Sequence, residues 1–311
     1  MSTASATKAS DKALACKKLT ALLQKDYGKS LPKIKLPVLE TMLFAVCLED
    51  NAWEKAEASY TKLMKSYYDL NEIRVSSVSE LERTLSDLKN AEWKGLRIRS
   101  ILRFVFESSY TFEFEKLAKL TVESAQKRLK KIEFLSPFIS SFTLEQVLGS
   151  HVVSLDDITL RAAIHLGVVP EGTEIDDASE FLKAGLKKTE AFGFTHLLRK
   201  LATDSKFESR ITDSFDEEFD VLKVEECLAA LKAPRKKKKL APKAALEKVA
   251  PAATKEVVQK AASTAQKNAE PIKKKTVKGN KSEPTKSAAS KSQAASQKKT
   301  SPSKKVAKKK R

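Results

Sequence analysis

Every aromatic residue of this chain lies before Lys232, and beyond that point little remains from which a hydrophobic core could be built. The last 80 residues, Lys232 to Arg311, carry 26 of the 59 basic side chains, four acids and no Phe, Tyr or Trp. The preceding 231 residues carry 33 basic and 36 acidic side chains. The formal net charge of +19 therefore divides into about −3 for a body and about +22 for a tail. A segment with so little apolar surface cannot offset the entropy lost on ordering, so residues 232–311 are expected to be disordered. Residues 1–10 read as a short disordered arm, which leaves 11–231 as the part that folds.

Lys236, Lys237, Lys238 and Lys239 form an unbroken run, and two further runs are Lys273, Lys274, Lys275 and Lys308, Lys309, Lys310. Ala, Pro, Ser and Thr fill the spaces between them. In composition the tail resembles the C-terminal tails of linker histones and of histone-like bacterial proteins. Spaced lysines on a flexible chain neutralise successive phosphates and release condensed counterions, so DNA is the expected partner, bound without regard to sequence. Such contacts give non-specific dissociation constants on the order of 10⁻⁴ to 10⁻⁶ M at physiological salt. No aromatic is present to stack on a base, and arginine is almost absent. An anionic membrane is the competing partner for a polybasic segment, but no second hydrophobic anchor accompanies it. No apolar run approaches membrane-spanning length and no secretory signal opens the chain. The expected compartment is intracellular: the nucleoid in a bacterium, or the nucleus in a eukaryote, with "PRKKKKL" as a candidate import signal.

The body reads as helices throughout. "LACKKLTALLQKDYG" places Leu14, Ala15, Leu19, Leu22 and Leu23 on one stripe closed by Gly28. Pro37 is suited to the first position of the apolar helix "PVLETMLFAVCLE", and Ser79 with Glu82 reads as a capping box. Further helices are expected near 94–107, 122–131, 137–149, 157–166, 178–186, 190–202 and 217–231. Asp177 with Glu180 is expected to cap one of them, and Gly167 to end another. About ten helices with short loops and no convincing strand predict an all-α globule. Cys16, Cys47 and Cys227 fall on apolar faces without ligand spacing, and His151, His165 and His196 lack partners at such spacing. Core thiols and structural histidines are the expectation, with no metal and no cofactor.

Three segments between about Pro37 and Leu201 resemble the helix-hairpin-helix DNA glycosylases typified by endonuclease III. "PVLETMLFAVCLEDNAW" is similar to the family's early buried helix and its DNA-probing turn, with Asn51 at the probing position. "LKNAEWKGLRIRSILRFVF" is similar to the helix that follows. "SLDDITLRAAIHLGVV" matches V-D-T-H-[IV]-x-R-x-x-x-R-L-G, which sets Asp156 on the catalytic aspartate and Arg161 on the motif's arginine. The resemblance implies a two-lobed all-α fold and base-excision chemistry on DNA.

The departures are specific. The family's hairpin L-P-G-V-G falls on "IEFLSPF", with Phe134 and Ser136 in place of the two glycines. A glycine hairpin grips phosphate through exposed helix N-terminal amides. Here Phe134 obstructs, Pro137 lacks an amide donor and Glu133 adds a negative charge. Phe138 stands where bifunctional members carry lysine, so an abasic-site lyase has no amine nucleophile.

Asp156 has two readings: a carboxylate that stabilises oxocarbenium character, or a cap on the helix it begins. Among basic residues, Lys94, Arg97, Arg99 and Arg103 spread around one helix and read as a solvated face. Lys127, Arg128, Lys130 and Lys131 concentrate at a helix C-terminus beside the altered hairpin, where they oppose the helix dipole and are placed to touch phosphate. The acidic run Asp213 to Asp220 is a candidate competitor for the lysine tail, or a helix N-terminus enriched in acids. Taken together, the expectation is a DNA-binding protein of the glycosylase fold, degenerate in chemistry and tethered by its tail. The alternatives are an active monofunctional glycosylase using Asp156 and a helical protein-interaction scaffold.

Overall fold

The computed structural model describes residues 9–211 and 220–233, and every described element is helical or irregular, with no strand. The chain begins with α1 (Ala9–Tyr27), then passes through α2 (Val38–Leu48), α3 (Trp53–Ser66), α4 (Leu70–Val75), α5 (Val78–Thr84) and α6 (Ala91–Ser109). A 3-10 turn at Glu115–Lys119 leads into α7 (Val122–Leu129) and α8 (Pro137–Leu148). The remaining helices are α9 (Asp157–His165), α10 (Ile175–Lys183), α11 (Lys188–Thr203), α12 (Glu208–Ile211) and α13 (Val224–Lys232).

Two hydrophobic cores divide the described residues into lobes. The first lobe holds α2 to α8 and centres on α2, ten of whose eleven residues are buried. An apolar helix with so little polar surface is stable only when surrounded. Phe44 supplies its aromatic centre, with ring centroids 5.0 Å from Trp53, 5.8 Å from Tyr60 and 6.4 Å from Phe142. The second lobe brings α1 back onto α9 to α13, with Leu19, Leu23, Leu160, Phe194, Leu198 and Leu228 packed together. One fold thus joins the N-terminal helix to the C-terminal third of the body, across the whole first lobe.

Several helix ends differ from the sequence expectation. The capping box lies at Ser77 and Glu80, two residues before the Ser79–Glu82 pair. This choice turns Val78 and Leu81 into the core and leaves Ser79 outside. α10 begins at Ile175 after Glu174, with no side-chain cap, so the Asp177–Glu180 cap does not form. Its earlier start lets Ile175 pack against the second core. Pro37 sits just before α2 instead of within its first turn. Leu14, placed on the α1 stripe, is 47% exposed, and Cys16 takes a buried place beside Ala15. Gly28 (φ 82°) and Gly167 (φ 68°) follow α1 and α9 in the left-handed conformation expected of helix-ending glycines. All three cysteines are buried. The tail lysines from Lys236 onward and most of the acidic run lie outside the described residues.

Candidate functional site

Asp156 is the first residue to place, because it stands where the two lobes meet. Val153, Ser154 and Leu155 carry a buried segment across from α8, and Asp156 then opens α9 in an extended conformation. Its Oδ1 accepts from the Thr159 amide at 3.2 Å and the Thr159 hydroxyl at 2.6 Å, while its own amide donates to the Thr159 oxygen at 2.9 Å. This reciprocal box satisfies the free amides of the helix start. Oδ2 accepts from the Asp50 amide at 2.8 Å and pairs with Arg199 Nη1 at 2.6 Å. The residue is 2% exposed. Burial pushes its carboxyl pKa up, but Arg199, the Thr159 hydroxyl and the Asp50 amide more than offset this, and the net shift is downward. Asp156 is therefore an ionised carboxylate with both oxygens committed inside the protein.

Arg199 extends the closure. It reaches from α11 to the carbonyls of Leu48 at 2.9 Å and Asn51 at 3.1 Å, which ties the second lobe to the turn between α2 and α3. Its guanidinium lies 5.0 Å from the Phe138 ring centroid. Phe138 is itself buried and packs 5.6 Å from Phe142. The space around these rings, bounded also by Trp53, Phe192 and His196, amounts to about 10 Å³. A single water needs about that much room, so these rings leave no space for a nucleobase between them. His196 lies 5.4 Å from Trp53 and 6.1 Å from Phe192; burial and the nearby Lys200 depress its pKa to about 4, which keeps the ring neutral.

The α2–α3 turn is equally committed. Asn51 is 2% exposed; its Nδ2 donates to the Cys47 and Glu49 carbonyls, and its Oδ1 accepts from the Lys89 amide. Every polar side-chain atom of Asn51, expected at the probing position, is thus engaged within the protein and holds the turn. Lys94 is a second correction. It was expected on a solvated face, yet it is 1% exposed, with Nζ donating at 2.7 Å to the carbonyls of Val46 and Glu49. It closes the C-terminal end of α2, and burial lowers its pKa despite the acids around it. Asp50, between them, holds a left-handed backbone (φ 58°), and burial with the neighbouring Asp156 raises its carboxyl to about 6.

The hairpin between α7 and α8 is built without glycine. Phe134 adopts φ 61°, a conformation that glycine takes freely and other residues take at a cost of roughly 1 kcal/mol. α6 braces the turn: Ser100 Oγ donates to the Glu133 carbonyl at 2.8 Å and Arg97 Nε to that of Phe134 at 3.2 Å. Arg97 also pairs with Glu49. Trp93 lies 6.4 Å from the Phe134 ring. At the α8 N-terminus Ser136 Oγ accepts from the Ile139 amide at 3.2 Å, and Pro137 has no amide to offer. Of the first amides of α8, that of Ile139 is thus capped by a side chain and that of Pro137 is missing.

The basic candidates divide by exposure. Lys127, Lys130 and Lys131 are exposed, whereas Arg128 is half-buried with its guanidinium 4.9 Å from the Phe114 ring. Arg161 is exposed and pairs with Asp157 at 2.7 Å. It borders a cavity of about 200 Å³ shared with Asp50, Lys89, Asn90 and Glu208. A larger groove of about 910 Å³ runs between the α7–α8 pair and α10, with Lys130, Lys183 and Lys188 along its walls. Among the described residues no cluster of three or more His, Cys, Asp and Glu is arranged to hold a metal, and no helix is long and apolar enough to cross a membrane. Arg199 and Asp50 are the important residues that sequence reasoning missed. Both act through contacts 43 or more residues apart in the chain, for which no local spacing exists.

No known family profile matches the chain, and no curated protein matches it. Solved structures do resemble it in fold. A non-covalent endonuclease III–DNA complex aligns at 12% identity and TM-score 0.49, over 62% of this chain and 88% of that one. An 8-oxoguanine glycosylase/lyase of Clostridium acetobutylicum with double-stranded DNA aligns at 13% identity and TM-score 0.46, over 60% and 68%. A 3-methyladenine DNA glycosylase of H. pylori aligns at 15% identity and TM-score 0.42, over 66% and 100%.

Proposed function

We propose that this chain is a DNA-binding protein whose glycosylase-like body has given up base excision and whose lysine-rich tail holds it on DNA. The observation that carries the reading is the state of Asp156. A carboxylate that stabilises a forming oxocarbenium ion must face the sugar in a cleft that receives the base. Asp156 instead faces Arg199, Thr159 and the Asp50 amide, with about 10 Å³ of space beside the neighbouring aromatic rings. Phe138 offers no amine for a Schiff base, so lyase chemistry is absent from the proposal as well. The α8 N-terminus, capped by Ser136 and lacking an amide at Pro137, supports a weak grip by the body on duplex. Affinity then falls to the tail, where 26 basic side chains face only four acids.

The test compares the full chain with one ending at Ala233 on duplex DNA across a salt series. The shortened chain is expected to lose about a hundredfold in affinity at low salt, together with most of the salt slope. Equal affinity and equal slope in the two chains would refute the tether. In parallel, duplexes carrying uracil, 8-oxoguanine, 3-methyladenine or an abasic site should yield no base release and no borohydride-trapped adduct. Release abolished by Asp156→Asn would restore the enzyme reading. A shortened chain that ignores DNA while the full chain binds tightly fits the proposal.

A further inference from the structure

The outer face of α6 carries a feature that the tail cannot supply. Arg99, Arg103 and Phe106 follow one another at intervals of four and three residues, which places them on one stripe of α6, and Tyr110 just past the helix end brings its ring 6.0 Å from that of Phe106. Arg74 joins the stripe from α4, with its guanidinium 4.3 Å from the Phe106 ring centroid. Arg99 feels both neighbouring guanidiniums: burial, then Arg103 and Arg74, lower its pKa. Arg103 and Arg74 thus both lie close enough to Arg99 to act on its charge; among the described residues Arg103 alone of the three makes an ion pair, to Glu107 at 2.7 Å, while Arg74 donates to Asn71 Oδ1. Phe106 continues the aromatic surface to Tyr110 at 6.0 Å and Phe112 at 5.4 Å.

Tyr110 is the most telling member. It is 81% exposed and holds a left-handed backbone (φ 54°) at the end of the helix. Most of this large aromatic meets solvent although its backbone is strained, and strain of this kind gathers where a ligand is met. The upstream end of the stripe adjoins the hairpin, because Ser100 of the same helix bonds the Glu133 carbonyl.

We propose that this stripe is a docking path for single-stranded nucleic acid. Guanidiniums set beside aromatic faces answer the two parts of such a ligand, phosphate and unstacked base. A duplex keeps its bases stacked and would use only the charges. The proposal rests on nucleic acid being the partner, as argued above, and adds which form the body prefers.

The experiment uses the full chain with Tyr110→Asn, since asparagine tolerates the left-handed conformation and removes only the ring. Binding to a fluorescent 20-nucleotide oligothymidine and to a duplex of equal length is measured at about 0.3 M salt, where tail contacts are weakened. The expected result is a loss of about fivefold or more on the single strand with duplex affinity unchanged. Arg103→Gln should weaken the single strand in the same direction, and ultraviolet crosslinking to a bromodeoxyuridine strand should map to the 99–112 segment. Unchanged single-strand affinity in Tyr110→Asn, or an equal loss on both forms, overturns the stripe while leaving the tether intact. Loss of duplex binding on removal of the tail, measured separately, bears on the tether alone.

Discussion

Asp156 and the α6 stripe lie on opposite terms with water. At Asp156 a carboxylate, a guanidinium and three backbone groups are sealed between the lobes, and each is used up by another. Along α6 Arg103 and Tyr110 are exposed, Tyr110 to 81%, and Arg74, Arg99 and Phe106 are half-buried with part of each side chain at the surface. Asp156 is held as part of the architecture between the lobes, whereas the α6 residues are the ones proposed above to meet a ligand. A motif therefore tells where a family's aspartate sits, whereas burial and partners decide what it does there.

The sharpest way to break this contrast is Arg199→Met. Removing the guanidinium leaves Asp156 buried without its counter-charge, which typically costs about 3–5 kcal/mol. For a body of this size the melting temperature should fall by roughly 10 °C, read by thermal unfolding. Arg199→Met combined with Asp156→Asn should recover a large part of that loss, because no uncompensated charge remains. A small loss in the single variant would show that the node is not structural, and the catalytic reading of Asp156 would regain weight.

A second, smaller effect separates buried carboxylates by the sign of their pH dependence. Glu145 is buried; burial raises its pKa to about 7, against the Ser154 hydroxyl that donates to it at 2.8 Å. Its folded pKa exceeds its unfolded value near 4.5, so the folded state holds the proton more tightly. Stability from this group is complete below about pH 4.5 and is lost as pH rises through about 7. Asp156 has the opposite sign: its pKa is lowered, so its contribution is present above the ordinary aspartate range and lost as acid is added. Glu145→Gln should flatten the decline between pH 5 and 8, raising stability at pH 8 by about 1–2 kcal/mol. Denaturant melts at the two pH values measure this, and an unchanged slope would place the titration elsewhere.

What the sequence made legible follows from the range of each interaction. Apolar spacing revealed the first and later helices because their faces repeat within a few residues. It passed over α3, although Trp53, Ala56, Tyr60 and Leu63 repeat at helical intervals and are all buried. Ser77–Glu80 and Ser79–Glu82 share one spacing, and only the burial of Val78 and Leu81 selects between them. Asp156 as a helix cap was local and readable. Its pairing with Arg199 was not, since 43 residues and two helices separate them. Lys94 misled because a lysine's type predicts solvent, while its place beside the end of α2 gives its ammonium carbonyls to bond.

Phe134→Gly gives the smallest effect and the finest distinction. Glycine relieves the left-handed backbone at φ 61° but gives up the contact with Trp93, so a net stabilisation of about 0.5 kcal/mol is expected in denaturant unfolding. The more informative reading is duplex affinity. If Phe134 alone blocks the hairpin, restoring glycine should let a phosphate approach and tighten binding by the body. The geometry of α8 argues otherwise: Ser136 Oγ still occupies the Ile139 amide, and Pro137 still lacks an N–H. Duplex affinity should therefore stay unchanged in Phe134→Gly and improve only when Pro137→Ala and Ser136→Gly are added, which supply the missing amide and uncap the one beside it. A gain from Phe134→Gly alone would mean that the hairpin is closed by bulk and not by its cap, and the body would then be one substitution away from gripping DNA itself.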